Sequence, residues 1–270
     1  MPFQIPGTEP AVLLSSAQRD TFARTGCLVL PGFLPSALVE RLRPEVDRWV
    51  DEGLRARSMA CGLDKNHSGP PPVLELELPA HAELLTWPPL LRALAELIGP
   101  SFVVRHLHSD RHVPGVVGKA WHHDGEPNSA NDPGLLMVRA LHYLEGLDES
   151  VGSLVVLPGS HREPAARTAR AHLGTAILPG EVVLDRLPAG STVLMHSALF
   201  HARRPAPVSG AGPGRRRYLV DASYCQTGAR WRPAQPHWRY MLARARELEL
   251  GGGQWPELFA EQHFSEFRRG

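Results

Sequence analysis

Cysteine is scarce in this chain. Only three, Cys27, Cys61 and Cys225, occur among 270 residues, far apart and in no CxxC spacing. That excludes a disulfide framework and a zinc-ribbon site, and it fits a reducing cytoplasm. Charge of one sign is also lacking. The 29 basic and 28 acidic residues leave a net charge of +1, so neither nucleic acid nor a membrane surface is an expected partner. No apolar run has the length needed to cross a bilayer. Residues 1–6 have neither a basic stretch nor an apolar core, so no secretory leader is expected. Internal repeats and a linker to a second domain are absent too.

What the chain does have is glycine (25), proline (26) and histidine (14). The first two favour a loop-rich β architecture over a helical bundle. Ser15-Ser16-Ala17-Gln18 has capping-box spacing for a helix that ends at Gly26, and residues 27–31 then read as a short apolar strand. Pro35-Ser36-Ala37 opens a second helix whose buried stripe is Leu38, Leu42, Val46, Trp49 and Val50. Residues 54–82 read as a long irregular loop, and 90–98 as a third helix closed by Gly99. From Ser101 the pattern changes to short strands at 102–108, 135–144, 154–157, 181–184, 192–196 and 217–224. Many short strands with Gly, Pro and Asp turns point to a sandwich or jelly roll. A last helix is expected at 237–250, stopped by three glycines.

The chemistry concentrates in Trp121-His122-His123-Asp124 and, well downstream, His201. On an extended strand residues i and i+2 share a face, so His122 and Asp124 can reach one metal while His123 points away. Two imidazoles and one carboxylate with open positions are the ligand set of non-haem Fe(II) oxygenases. A chance His-x-Asp on a surface turn is the plain alternative in a histidine-rich chain. By the same parity His106, His108, Asp110 and His112 share one face. Arg139 and His142 fall on opposite faces of their strand, and one of them can point inward.

Five blocks in order resemble the phytanoyl-CoA dioxygenase family of Fe(II)/2-oxoglutarate enzymes. They are the stretch from Phe22 to Leu34, Trp121-His122-His123-Asp124, the run Gly152-Ser153-Leu154 to Pro158-Gly159-Ser160-His161, Gly190 to His196 with His201, and Arg215-Arg216-Arg217 ahead of Tyr224. They cover about residues 15–225 of a single expected domain, 1–270, with a C-terminal helical extension from about 226 to 270. The resemblance implies a mainly β fold with flanking helices, a double-stranded β-helix (a cupin-like jelly roll). It implies Fe(II) at His122, Asp124 and His201, with 2-oxoglutarate and dioxygen as cosubstrates. It also implies an arginine that holds the distal 2-oxoglutarate carboxylate. Arg217 has the best spacing, seven residues before Tyr224, with Arg216 and Arg215 as alternatives. Lys119 and His108 are further cosubstrate candidates; Arg139, His142 and His106 are substrate candidates.

The resemblance breaks after His201, where the family usually carries small residues and this chain has Ala202-Arg203-Arg204. Arg203 either takes over part of the cosubstrate contact or is exposed, exposure being expected. His161 and His196 are read as structural. The intact carboxylate at Asp124 favours oxygenation over the halogenation of relatives that lack it.

The expected function is hydroxylation of an amino-acid-like or natural-product small molecule. Desaturation, epoxidation, cyclisation or an acyl-CoA substrate are alternatives. From other classes come a non-catalytic ligand-binding β-helix and a cupin-like hydrolase or isomerase. His106, His108, Arg111 and Arg139 suggest a polar, anionic substrate. Residues 54–82 and 226–262 are candidate lids. The protein is expected to be a cytoplasmic monomer or homodimer.

Overall fold

The computed structural model describes residues 13–63, 69–125, 135–163, 172–207, 214–251 and 255–267. Helix α1 (Ser16–Thr25) starts on the expected capping box, with Ser15 and Gln18 each bonding the other's backbone, and stops at Gly26 in the left-handed region. Strand β1 (Cys27–Leu30) follows. Helix α2 (Ser36–Asp51) buries Leu38, Val39, Leu42, Val46 and Trp49. Residues 54–82 depart from the expected loop. They contain α3 (Leu54–Leu63), a 3-10 turn (Glu75–Glu77) and the start of α4 (Pro79–Leu85). The apolar positions there turn into the protein: Leu54, Leu74, Leu76 and Leu78 are all buried. Helix α5 (Pro88–Ile98) begins with two prolines, whose fixed φ suits a first turn.

Among the described residues, nine strands form two antiparallel sheets. They are β1, β2 (Phe102–His112), β3 (Lys119–His122), β4 (Met137–Tyr143), β5 (Leu154–Val156), β6 (Val182–Leu184), β7 (Ser191–His196), β8 (His201–Arg203) and β9 (Arg217–Gln226). The larger sheet runs β1-β7-β4-β9-β2 and the smaller β3-β8-β5-β6. Helix α6 (Trp238–Glu247) comes last. This is the double-stranded β-helix with flanking helices. Strands β3 and β8, which no periodicity announced, are short.

Register decides which residues face which way. On the outer face of the larger sheet Val138, Ala140, Val220, Ala222 and Tyr224 pack with Leu42, Val46, Leu90, Leu91 and Leu94 of the helices. Burying each such aliphatic side chain contributes about 2 kcal/mol. Trp238, Leu242, Trp255 and Phe264 join the same cluster, so the C-terminal segment expected to form a lid is part of the core. On the inner face Leu141, Tyr143, Val193 and Met195 meet Leu154 and Val156 of the smaller sheet. The rest of that inner face is polar: Arg139, Arg217, Asp221, Ser223, His106, His108 and His112 share it by pairing. An apolar plug thus fills one end of the β-helix and leaves a polar hollow at the other.

All three cysteines are free and buried. Gly26 shows why His161 is structural. A Cβ at Gly26 would lie 2.6 Å from His161 Nδ1, and the His161 ring contacts the Ala23 carbonyl through Nε2 at 3.2 Å. The Pro-Gly-Ser-His turn is therefore locked onto the end of α1. His196 accepts a bond from the Ala198 amide at Nδ1, 3.0 Å away.

Candidate metal centre and cosubstrate site

His122 ends β3 and His201 begins β8, and the two are direct cross-strand partners. Their ring centroids lie 4.2 Å apart. Asp124 falls just past the end of β3, where its amide and that of Gly125 both bond to the Ser197 carbonyl, at 2.9 and 3.1 Å. That turn brings Asp124 Oδ1 to 3.6 Å from His122 Nε2, and Oδ2 to 3.4 Å from His201 Nε2. One ligand atom from each of the three lies within 4.8 Å of the others.

The hydrogen bonds set the tautomers. His122 Nδ1 donates to the Ala120 carbonyl at 2.7 Å and His201 Nδ1 to the Leu199 carbonyl at 2.9 Å. A carbonyl can only accept, so both Nε2 atoms present lone pairs. Burial, with His201 and Lys119 adding to it, pushes the His122 imidazole down to about 3, and burial lowers His201 as well. Burial works against ionisation of Asp124, yet Arg139 and the two histidines hold its carboxyl well below the usual range. His122 Nε2 and Asp124 Oδ2 are buried with no hydrogen-bond partner. Three deprotonated donors, two of them orphaned and all converging, fit a divalent metal.

Arg139 points into the hollow and bridges two carboxylates. Its Nη1 lies 2.5 Å from Asp124 Oδ1, its Nε bonds Asp221 Oδ1 at 3.0 Å, and its Nη2 bonds Asp221 Oδ2. One Asp124 oxygen is thereby engaged and the other left for a metal, which favours a monodentate ligand. Asp221 and Ser223 escaped sequence reasoning. Strand parity from Arg217 places both on the inner face, and that was the available signal. We expect Arg139→Gln to weaken iron binding roughly 10- to 100-fold, the usual effect of removing an outer partner of a metal ligand. Chelator competition measures it, and an unchanged affinity would show that Asp124 needs no such support.

Of the three adjacent arginines, the register separates the roles. Arg215 pairs with Asp148 and the Glu145 carbonyl, and Arg216 is exposed. Arg217 is 3% exposed on the inner face, its Nη2 at 3.2 Å from Tyr143 Oη and its Nε and Nη1 without partners. An unpaired buried guanidinium beside a tyrosine hydroxyl fits an incoming carboxylate.

Arg203 departs from the expected exposure: its guanidinium is part-buried, 2.6 Å from His112 Nε2 and 2.8 Å from the Val117 carbonyl, and burial and Arg217 lower its pKa. Lys119 pairs with Arg203 across β3 and β8, and Asp124 is among the charges that act on it. His106 and His108 stack at 5.8 Å on the inner face. Two expectations need correction. His142 faces outward, buried against Thr192 Oγ1 at 2.8 Å, because it has the opposite parity to Arg139. Arg111 also faces outward and pairs with Asp47 and Asp51 of α2.

Next to His108, Ser109 of β2 meets a buried acid of the 3-10 turn, Glu75. The Ser109 hydroxyl and amide bond to the Glu75 carboxyl, and burial pushes it up to about 8. His81 links the same Ser109 hydroxyl to Glu45, with contacts of 2.7 Å on both ring nitrogens. The folded state holds the Glu75 proton while the unfolded chain releases it near its ordinary value. Glu75 therefore costs stability progressively as pH rises from about 4.5 to about 8. Glu75→Gln should raise the melting temperature more at pH 8 than at pH 5, and a pH-independent difference would refute the assignment.

The phytanoyl-CoA dioxygenase (PhyH) family model matches residues 22–206, more than half of the chain. The chain belongs to that family. It is an Fe(II)- and 2-oxoglutarate-dependent oxygenase acting on a small molecule. No curated protein matches it in sequence. Among solved structures, HygX from Streptomyces hygroscopicus with nickel and 2-oxoglutarate bound is similar at 23% identity and TM-score 0.59, over 80% of this chain and 88% of that one. SnoN, a non-haem α-ketoglutarate-dependent epimerase from nogalamycin biosynthesis, is 22% identical with TM-score 0.59, over 81% and 82%. EctD from S. alaskensis with 2-oxoglutarate and 5-hydroxyectoine is 19% identical with TM-score 0.63, over 85% and 83%. These likenesses are likenesses of fold. Among the described residues no helix is long and apolar enough to cross a membrane.

Proposed function

We propose that this PhyH-family protein hydroxylates a C–H bond of a natural-product or amino-acid-like small molecule. The observation that carries the reading is the polar hollow itself. It places His122, Asp124 and His201 on one side and the unpaired Arg217 guanidinium on the same inner surface. With iron and 2-oxoglutarate bound, such a centre couples oxidative decarboxylation by dioxygen, giving succinate and carbon dioxide, to oxidation of the substrate. The chain's own contribution is placement. His122 and His201 offer neutral Nε2 atoms, and the Arg139–Asp221 pair keeps Asp124 ionised and turned. Arg217, helped by the Tyr143 hydroxyl, holds the distal carboxylate of 2-oxoglutarate, and Arg203 and Lys119 add positive potential around a dianion. The buried walls exclude bulk water. The crystallised HygX and SnoN complexes hold hygromycin B and a nogalamycin, which supports a natural product as substrate class. We place the enzyme in the cytoplasm, as a monomer or homodimer.

The test is spectroscopic. Fe(II) and 2-oxoglutarate added without oxygen should produce the weak visible band of the chelate, and air should then yield succinate. Metabolite profiling should show a product heavier by one oxygen. Absence of both band and succinate would sink the reading; a product of unchanged mass would make the enzyme an epimerase instead.

A further inference from the structure

Next to His106 and His108, the edge of β2 meets α2, α3 and the start of α6 around a recess of about 40 Å³. Such a space holds more than one water, or the tip of a ligand of about three heavy atoms. Four of its lining side chains carry a buried polar atom with no partner: Trp49 Nε1, Arg55 Nε, Glu75 Oε1 and His237 Nδ1. Trp49 and Glu75 are 1% and 7% exposed. Buried polar atoms are almost always paired, so four orphans around one recess mark a place built to be filled.

Their charges narrow the filler. Arg55 is already neutralised by Asp110 at 2.9 Å. Burial keeps Glu75 protonated at neutral pH and holds His237, His106 and His108 below their ordinary range, hence uncharged. A cation entering this recess would find no free carboxylate, and Arg105, which also lines it, is bonded at Nε to the Arg232 carbonyl. A neutral group that both donates and accepts would satisfy Trp49 and Arg55 as donors and Glu75 or His237 as acceptor. His106 is in cross-strand register with Ser223 and, through it, with Arg139, whose Nη1 lies 2.5 Å from Asp124 Oδ1, so the recess borders the inner face that carries the metal centre.

We infer that the recess is a substrate subsite that takes an uncharged hydroxyl or carboxamide end of the small molecule, read by Trp49, Arg55, Glu75 and His237. The inference rests on the oxygenase reading above.

The test uses the full chain, nitrogen-15 labelled and loaded with zinc(II) and 2-oxoglutarate. Small probes of matched size are titrated: glycerol and acetamide as neutral groups, acetate and methylammonium as charged ones. The Trp49 indole N–H signal, identified by its loss in Trp49→Phe, should shift with the neutral probes only. Trp49→Phe should weaken their binding about fivefold, the loss of one hydrogen bond. Glu75→Gln, which keeps a neutral donor and acceptor, should bind acetamide as the unchanged protein does. No indole shift, a shift with the charged probes alone, or equal binding by Trp49→Phe (binding at probe concentration only) would each overturn the inference. The anaerobic Fe(II) chelate band, read on the same preparation, keeps the two failures apart. A missing band removes the oxygenase reading, whereas a normal band with silent probes removes only the subsite.

Discussion

His201→Ala abolishes iron binding and turnover together while the β-helix stays folded. The side chain offers one atom, Nε2, to a cluster whose three ligand atoms converge within 4.8 Å, and its other nitrogen is spent on the Leu199 carbonyl. Nothing among the described neighbours can move into its place. Arg139 is committed to two carboxylates, and His123 is itself buried. The loss should exceed the roughly 10- to 100-fold that follows removal of an outer partner. Folding survives because β8 is held by backbone pairing to β3 and β5 and by Ala202 in the apolar face. Iron content per chain, activity and circular dichroism measure the three parts. Unchanged iron stoichiometry in a folded variant would refute the ligand assignment, and His122→Ala should behave alike.

Arg217→Ala is expected to raise the 2-oxoglutarate KM far more than it lowers kcat. A hydrogen bond to a charged group contributes about 1.5–3 kcal/mol, which corresponds to a rise of roughly 10- to 150-fold. The iron site should load normally, because Arg217 shares no hydrogen bond with its ligands; its one bonded partner is Tyr143. Arg217→Lys should recover part of the loss, since a lysine keeps the charge but not the planar fork. An unaltered KM would move the role to Arg203, another inward cation of the hollow.

The site was legible in the sequence wherever strand parity held. Alternation put His106 and His108 on one face and Arg139 opposite His142, while Arg217 came from its spacing to Tyr224, and the pairing of β2, β4 and β9 keeps these relations. The same rule, applied one step further along β9, would have supplied Asp221 and Ser223. Parity alone was less use for Asp124, which is aimed by a turn bonded to Ser197. The helices between Leu54 and Leu85 were hidden for a different reason. Leu74, Leu76 and Leu78 alternate with glutamates, a pattern that resembles a strand, yet all three leucines and Glu75 are buried around a 3-10 turn. A glutamate in such a run looks solvated, and only tertiary packing shows that Glu75 is enclosed. Arg203 misled because it is charged and stands just ahead of Pro205 and Pro207; its cross-strand position beside Lys119 turns it inward.

The pairing of His122 with His201 gives the metal a mechanical role. Strands β3 and β8 share only two paired positions, and one of them is this histidine pair. An ion gripped by both rings acts as a rivet through the thinnest seam of the smaller sheet. Loading the enzyme should therefore slow hydrogen exchange across β3 and β8 more than across the long, densely bonded pairing of β2 with β9. The protein's readiness for chemistry and the closure of its smaller sheet become one event.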